Sequence, residues 1–311
     1  LNTQKLRLIH LHSSTATTRP LIHKLLKQDP TLTHLYELTP NEISLWYHVP
    51  SDRATKLHQD LHNNRKIEQI YQYLKTYHIW TIFDKDYPLS LRLIPDPPIV
   101  LYGLGNREFL NHNPILSVVG TRNPSSEAKR KMHYILSPLA QQNWLFASGM
   151  AVGIDGYAHK IACHYKGKTI AVLGGGLKHI YPKKHQDLFK QLVQEHLVVS
   201  EYPPDFLPQR YYFPERNRII SGLGFGTIVI EAKIKSGSLI TVDQALEQGR
   251  EVYAVPGTPW FEQVDGCHKM IQDGAKLVRN TYDLVDEWEQ IEGKWCRTLS
   301  EIKQKIHQFN L

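Results

Sequence analysis

The residues best suited to chemistry lie at the ends of short apolar runs in the central and later parts of the chain. Ile115–Val119 leads into Gly120-Thr121-Arg122, Trp144–Ala147 into Ser148-Gly149, and Thr169–Leu173 into Gly174-Gly175-Gly176. Later runs end in Ser200-Glu201, Glu231-Ala232 and Pro256-Gly257. Glycine lets a ligand approach the backbone, and a following helix turns its free N–H groups toward an anion. Any one such end could be an ordinary turn, but a series interleaved with basic residues fits a phosphate-bearing ligand. Between two of the runs lies Phe213-Pro214-Glu215-Arg216-Asn217-Arg218, in which two arginines flank an amide. Such a set offers forked donors to phosphate oxygens, and Glu215 is available to hold one arginine for the fold. Ser236-Gly237-Ser238-Leu239-Ile240-Thr241 opens a probable helix over Val242–Gln248 with hydroxyls that suit an anion or the free N–H groups. Tyr181-Pro182-Lys183-Lys184 adds charge after the glycine run, although a lysine pair alone is usually a solvated surface feature.

Two nucleotide motifs are excluded by context. Gly167-Lys168-Thr169 resembles the end of a P-loop, but Ala162 occupies the required glycine position and the segment leads into a strand. Gly222-Leu223-Gly224-Phe225-Gly226 has the wrong spacing for a dinucleotide fingerprint and precedes a strand. Asp155 and His159 share a face if their segment is helical, yet no nucleophile completes a catalytic set. Asp155 reads as a helix N-terminal residue with His159 packed behind it.

Positioning these residues requires a sheet. Short continuous apolar runs separated by helix-length stretches imply βαβ units and a parallel sheet covered on both faces. The expected fold is a doubly wound, mostly parallel Rossmann-like α/β domain over residues 113–288. Residues 1–75 read as a small all-helical domain, SAM-like or helix-hairpin-helix-like. Leu21, Ile22, Leu25 and Leu26 recur at helical spacing, as do Leu57 and Leu61, and prolines at 20, 30, 40 and 50 divide the stretch. The Gly-containing hairpin of helix-hairpin-helix motifs is missing, which favours a packing or partner-binding module. Residues 76–112 read as a linker with extra strands that pack on the next domain, and residues 289–311 as a C-terminal tail.

Composition bounds the function. The chain has 311 residues and 41% hydrophobic content, with 37 Lys and Arg against 30 Asp and Glu for a net +7. That surplus suits a polyanionic partner. No apolar run reaches the ~20 residues of a membrane helix, and a secretory signal is not evident. Cys163, Cys267 and Cys296 are odd in number and far apart, arguing against a disulfide framework or a zinc site. The seventeen histidines form no close ligand pair. No metal and no cofactor are expected, and the simplest compartment is a reducing cytoplasm.

Taken in order, the marked stretches resemble the DprA (Smf) family of DNA-processing proteins. They are Ser117–Arg122 (SVVGTR), Ser148–His159 (SGMAVGIDGYAH), Thr169–Lys183 (TIAVLGGGLKHIYPK) and Ser200–Pro204 (SEYPP). Phe213–Ser221 (FPERNRIIS), Val229–Thr241 (VIEAKIKSGSLIT), Val255–Gly257 (VPG) and Asp265–Val278 (DGCHKMIQDGAKLV) continue the match. Thr121 departs from the serine common in the family's Gly-Ser-Arg but keeps the hydroxyl. The resemblance implies a non-catalytic cytoplasmic homodimer that binds single-stranded DNA and passes it to the RecA recombinase during natural transformation. It places DNA-phosphate contacts on Arg122 and Lys183, with Arg216, Asn217 and Arg218 in or near the same pocket. It also places self-association around His268, Ile271 and Leu277, whose apolar members could equally be core. Together with the strand-end reading, the expected DNA-binding set is Gly120, Thr121, Arg122, Ser148, Gly149, Gly175, Lys183, Phe213, Arg216, Asn217, Arg218, Ser236, Gly237, Ser238 and Thr241. Bases would stack on Tyr181 or Phe213. The rival reading is a phosphoribohydrolase-type nucleotide enzyme with Glu231 as its carboxylate, although the P-G-G-x-G-T-x-x-E run of such enzymes is absent.

Overall fold

The computed structural model describes residues 3–309, with side chains as far as residue 304. The chain forms two compact units: one of residues up to Asp84 with Ile99–Tyr102, the other of Lys85–Pro98 with everything from Gly103 onward.

The smaller unit contains helices α1 (Gln4–His12), α2 (Arg19–Gln28), α3 (Pro40–Tyr47), α4 (Ser51–Leu61) and α5 (Asn64–Thr76), strand β1 (His78–Thr81) and the start of β2 (Val100–Gly105). Three of the prolines that divide the sequence sit where a missing N–H costs little. Pro20 and Pro40 lie in first turns, and Pro50 is the N-cap of α4. Thr39 and Glu42 close a capping box over α3. Leu8, Ile9, Ile22, Leu25, Ile43 and Leu57 are buried at its centre.

The larger unit holds helix α6 (Leu89–Arg92), the end of β2 (Val100–Gly105), and strands β3 (Ile115–Val119), β4 (Leu145–Ser148), β5 (Lys168–Leu173), β6 (Leu197–Ser200), β7 (Gly226–Val229), β8 (Glu251–Ala254) and β9 (Lys276–Leu277). Its helices α7 (Ala128–Gln141), α8 (Ile154–His164), α9 (Gln186–Glu195), α10 (Tyr212–Leu223), α11 (Ser238–Glu247), α12 (Asp265–Gln272) and α13 (Thr281–Phe309) complete the chain. Strands β6-β5-β4-β3-β7-β8-β9 lie side by side in that order, all parallel. This is the expected doubly wound, Rossmann-like α/β fold. Alternation along β3 assigns its two faces. Leu116 and Val118 join the core made with α7, α8 and α13, while the Ser117 hydroxyl donates to the Ile220 carbonyl of α10 (2.6 Å).

From β3 the chain winds outward through α7 to β4, through α8 to β5 and through α9 to β6. It then returns by α10 to β7 on the other side of β3 and winds outward again through α11 and α12. The winding therefore reverses between β3 and β7. In open parallel sheets that switch point opens a crevice at the carboxyl ends of the strands.

Two expected segments differ from what is observed. Residues 76–112 carry two strands, β1 and β2, as expected, but they are divided between the two units instead of all packing on the larger one. The expected tail from 289 is the continuation of α13, which begins at Thr281 and passes straight through the 288 boundary. Leu284 and Trp288 are buried in the core, and the Trp288 ring lies 4.8 Å from Phe225. Trp295 Nε1 donates to Asn113 Oδ1 (3.1 Å). Leu284, Trp288, Ile291 and Trp295 recur at spacings of four, three and four, a helical stripe. Residues 310 and 311 of the expected tail lie outside the described residues.

Candidate nucleic-acid interface

A cleft of about 700 Å³ opens at this switch point. Its walls come from the loop after β3, the head of α8, the loop and first turns of α10, and the loop that starts α11. Of the expected residues it gathers Gly120, Thr121, Arg122, Phe213, Arg216, Asn217, Ser236, Gly237, Ser238 and Thr241.

The loop after β3 is held tightly from below. Thr121 N donates to the Glu231 carbonyl (2.7 Å), and Ile154 N donates to the Thr121 carbonyl (3.2 Å). The Thr121 hydroxyl accepts from Asn123 N (3.2 Å), a bond that serine would make equally well. A Cβ on Gly120 would stand 2.7 Å from the Ile154 side chain and 2.9 Å from the Glu231 carbonyl. Gly153, at φ +83°, would collide with the Thr121 carbonyl and Arg122 backbone if substituted. Arg122 is thus carried on a fixed loop, with its side chain exposed and no carboxylate within ion-pair distance among the described residues.

Glu231 completes that support. It is fully buried; Oε1 accepts from Ser125 Oγ (2.6 Å) and Lys131 Nζ (3.1 Å), and Oε2 accepts from Ser125 N (2.8 Å). The carboxylate considered as an enzyme's base is therefore committed to the Arg122 loop and is not on the cleft wall.

The two arginines of α10 have separate duties. Arg216 lies under the cleft floor, 4% exposed, and donates Nη1 to the carbonyls of Gly149 (2.7 Å) and Val172. Burial pulls its pKa down to about 10, opposed by nearby Asp155, so it stays charged at neutral pH. Arg218 is off the cleft. Its Nη1 and Nη2 reach Glu201 at 2.8 and 2.7 Å, and its Nε lies 3.1 Å from Asp96 Oδ2. Burial alone would weaken that guanidinium's charge, but Glu201 overrides it and raises the pKa above the ordinary value. Glu201, not Glu215, is the carboxylate that holds it; the Glu215 side chain accepts instead from the Tyr202 hydroxyl (2.9 Å).

Ser148, Gly149 and Gly175 do not reach the cleft wall. The Ser148 hydroxyl donates to the Val118 carbonyl (2.7 Å). A Cβ on Gly149 would stand 2.4 Å from the Arg216 guanidinium, and one on Gly175 would stand 2.8 Å from Pro208. These glycines admit parts of the protein itself. Lys183 is exposed on the turn before α9, outside the cleft lining. Asp155 sits in the first turn of α8 and accepts from Gly149 N (3.2 Å); burial raises its pKa against the pull of Arg216. His159 is buried behind it, its Nδ1 2.7 Å from Thr169 Oγ1, and burial pulls its pKa down to about 3.

Sequence reasoning missed Arg210, Lys233 and Lys235, which also line the cleft. The alternation Lys233-Ile234-Lys235 immediately before Ser236-Gly237-Ser238 was an available signal; Arg210, in a proline-rich loop, gave none. With them the lining carries five cations and one carboxylate, the buried Asp155. Tyr181 and Phe213 close one side, their ring centroids 5.5 Å apart.

Within α12, His268 is half-buried, with Nε2 3.0 Å from the Gly257 carbonyl, so it fastens its own chain's loop after β8. Ile271 is half-buried and Leu277 is exposed. Among the described residues no group of three or more His, Cys, Asp or Glu could hold a metal ion, and no helix is long and apolar enough to cross a membrane.

The family model for DNA recombination-mediator protein A matches residues 78–289. The chain belongs to that family. DNA processing protein DprA of Bacillus subtilis is 44% identical over 206 residues, 66% of this chain and 69% of the relative. The crystal structure of DNA processing protein A from Streptococcus pneumoniae superposes with a TM-score of 0.78 at 36% identity, covering 90% of this chain and 96% of that one. DNA processing protein A from Helicobacter pylori, whose structure was described for its single-stranded DNA binding mode, matches with a TM-score of 0.62 at 26% identity. That match covers 69% of this chain and 97% of the H. pylori chain.

Proposed function

We propose that the strand-end cleft binds single-stranded DNA without turning it over, and that the protein acts as a cytoplasmic homodimer that protects the strand and delivers it to the RecA recombinase during DNA uptake. The observation that carries this reading is the cleft's charge and wall chemistry. Arg122, Arg210 and Lys235 are exposed cations for phosphates, Arg216 is a fixed charge beneath them, and Ser236, Gly237 and Ser238 at the head of α11 line the same space. Tyr181 and Phe213 offer flat faces on which a base stacks whatever its sequence. The single-stranded DNA binding of the H. pylori relative supports the choice of ligand. Against turnover stands Glu231, whose oxygens are engaged by Ser125 and Lys131.

The homodimer reading rests on the surface near α12 and β9, where exposed Leu277 and half-buried Ile271 lie, with His268 bracing the loop between. Two copies joined there would present two clefts to one strand and gain avidity. The cytoplasmic placement accords with three free cysteines.

Fluorescence anisotropy with labelled oligo-dT and a matched duplex tests the ligand. Preference for the single strand is expected, lost in Arg122→Ala and Arg210→Ala. With three exposed cations engaged, log affinity should fall with log salt at a slope of about −2. Equal binding of both forms that ignores these changes would overturn the reading.

A further inference from the structure

A second basic surface begins where the cleft ends. Helices α7 and α8 both start at the cleft: α7 directly follows the Arg122 loop, and the head of α8 is bonded to Thr121. Between them runs a groove of about 430 Å³. Its floor is apolar, formed by buried Met132 and Ile161. Its rims carry Lys129 and His133 from α7, and Lys160 and His164 from α8, all exposed. No carboxylate lines it, and no ion pair engages Lys129 or Lys160 among the described residues. Lys129 Nζ stands 5.1 Å from the centre of the Tyr157 ring, so a cation and an aromatic face share the end nearer the cleft.

Lys183, which the family resemblance already assigns to DNA, stands on a turn packed against α8 and the loop before it: His185 Nδ1 lies 2.9 Å from the Met150 carbonyl, and a Cβ on Gly156 would stand 2.6 Å from the His185 ring. Lys160 follows Gly156 by four residues and shares its helix face. Lys183 and Lys184, exposed on the turn, therefore adjoin the groove's α8 rim.

We propose that this groove between α7 and α8 is a second stretch of DNA-binding surface that takes the single strand as it leaves the cleft. The inference rests on the cleft's own DNA reading. Cations on both rims meet a phosphodiester backbone, and a floor of methionine and isoleucine beside a tyrosine accepts an unstacked base. Continuity with the cleft and the absence of a lining carboxylate favour a nucleic-acid strand over an acidic protein segment.

The test uses the full chain and a series of oligo-dT lengths, comparing wild type, the double variant Lys129→Gln/Lys160→Gln, and Arg122→Ala. Thermal melts confirm that each variant is folded. The double variant should bind the shortest oligonucleotides like wild type, lose the affinity gained by longer ones, and reduce the salt slope for long oligonucleotides by about 1.4. Unchanged binding at every length would overturn the groove while leaving the cleft intact. Equal loss at short and long lengths would overturn it too, because the lysines would then act on the cleft. Arg122→Ala behaving as wild type with short oligonucleotides would instead mark failure of the cleft reading.

Discussion

Replacing Arg218 with methionine should cost the fold stability and spare DNA binding, whereas replacing Arg122 with alanine should do the reverse. The Arg218 guanidinium makes two charge-assisted bonds to Glu201, lies 3.1 Å from Asp96, and donates to the carbonyls of Asp96 (2.9 Å) and Glu215 (2.8 Å). Removing it leaves Glu201, only 3% exposed, without its main counter-charge. Breaking one side of such a buried pair costs about 3–5 kcal/mol. At about 2–4 °C per kcal/mol for a domain of this size, Tm should fall by roughly 6–20 °C. The double change Glu201→Leu/Arg218→Met should recover most of the loss, because it removes both charges together. Arg122 is exposed and unpaired, so its loss should move stability by no more than about 0.5 kcal/mol. It should reduce the salt slope of oligo-dT binding by about 0.7. Circular-dichroism melts and anisotropy titrations, run well below the lower Tm, separate the two effects. If Arg218→Met weakened binding as much as Arg122→Ala while folded, or left Tm unchanged, the division of labour would be wrong.

Three further outcomes follow from single positions. Gly237 lines the cleft at φ −62°, and a Cβ there would meet nothing within 4 Å; Gly237→Val should melt like wild type yet bind oligo-dT more weakly, and unchanged affinity would remove the phosphate from the head of α11. Because burial holds the folded pKa of His159 near 3 against 6.5, its contribution to stability is complete above pH 6.5 and declines as pH falls. Between pH 6.5 and 5.5 the loss should be about 1 kcal/mol, and melts of His159→Gln over that window should show a pH dependence smaller by that amount. Trp260 is 79% exposed on the loop that also supplies Gln263 to the cleft; oligo-dT should quench tryptophan fluorescence, and a full quench persisting in Trp260→Phe would exclude that ring from stacking.

The parallel strands were legible because each is a short, continuously apolar run, the pattern demanded of strands covered on both faces. What escaped was amphipathic. In α13 the stripe of Leu284, Trp288, Ile291 and Trp295 is interrupted by Asp286, Glu287, Glu289 and Glu292, so the segment reads as polar by composition although its apolar face closes the core. The proline-rich stretch before Ile99 hides its packing for a related cause. Proline suggests a linker, but Tyr87 is buried with its hydroxyl donating to the Pro98 carbonyl (2.6 Å), and Leu91 is buried too, so packing decides what composition leaves open.

Residue type marks the lining of the cleft but does not separate groups that face it from groups that support it. Gly120, Gly149 and Gly237 look alike in sequence, yet two of them have no room for a Cβ and one has open space on the cleft side. Arg122, Arg216 and Arg218 are equally alike, and only tertiary placement divides them into an exposed cation, a charge under the floor and half of a buried ion pair. The support is long-range: Glu231, from the end of β7, holds the loop after β3 through Ser125, 106 residues away in sequence. A loop backbone fixed in this way would lower the ordering cost of the phosphate contact proposed for Arg122. The carboxylate weighed as an enzyme's base thus supports the loop that carries Arg122.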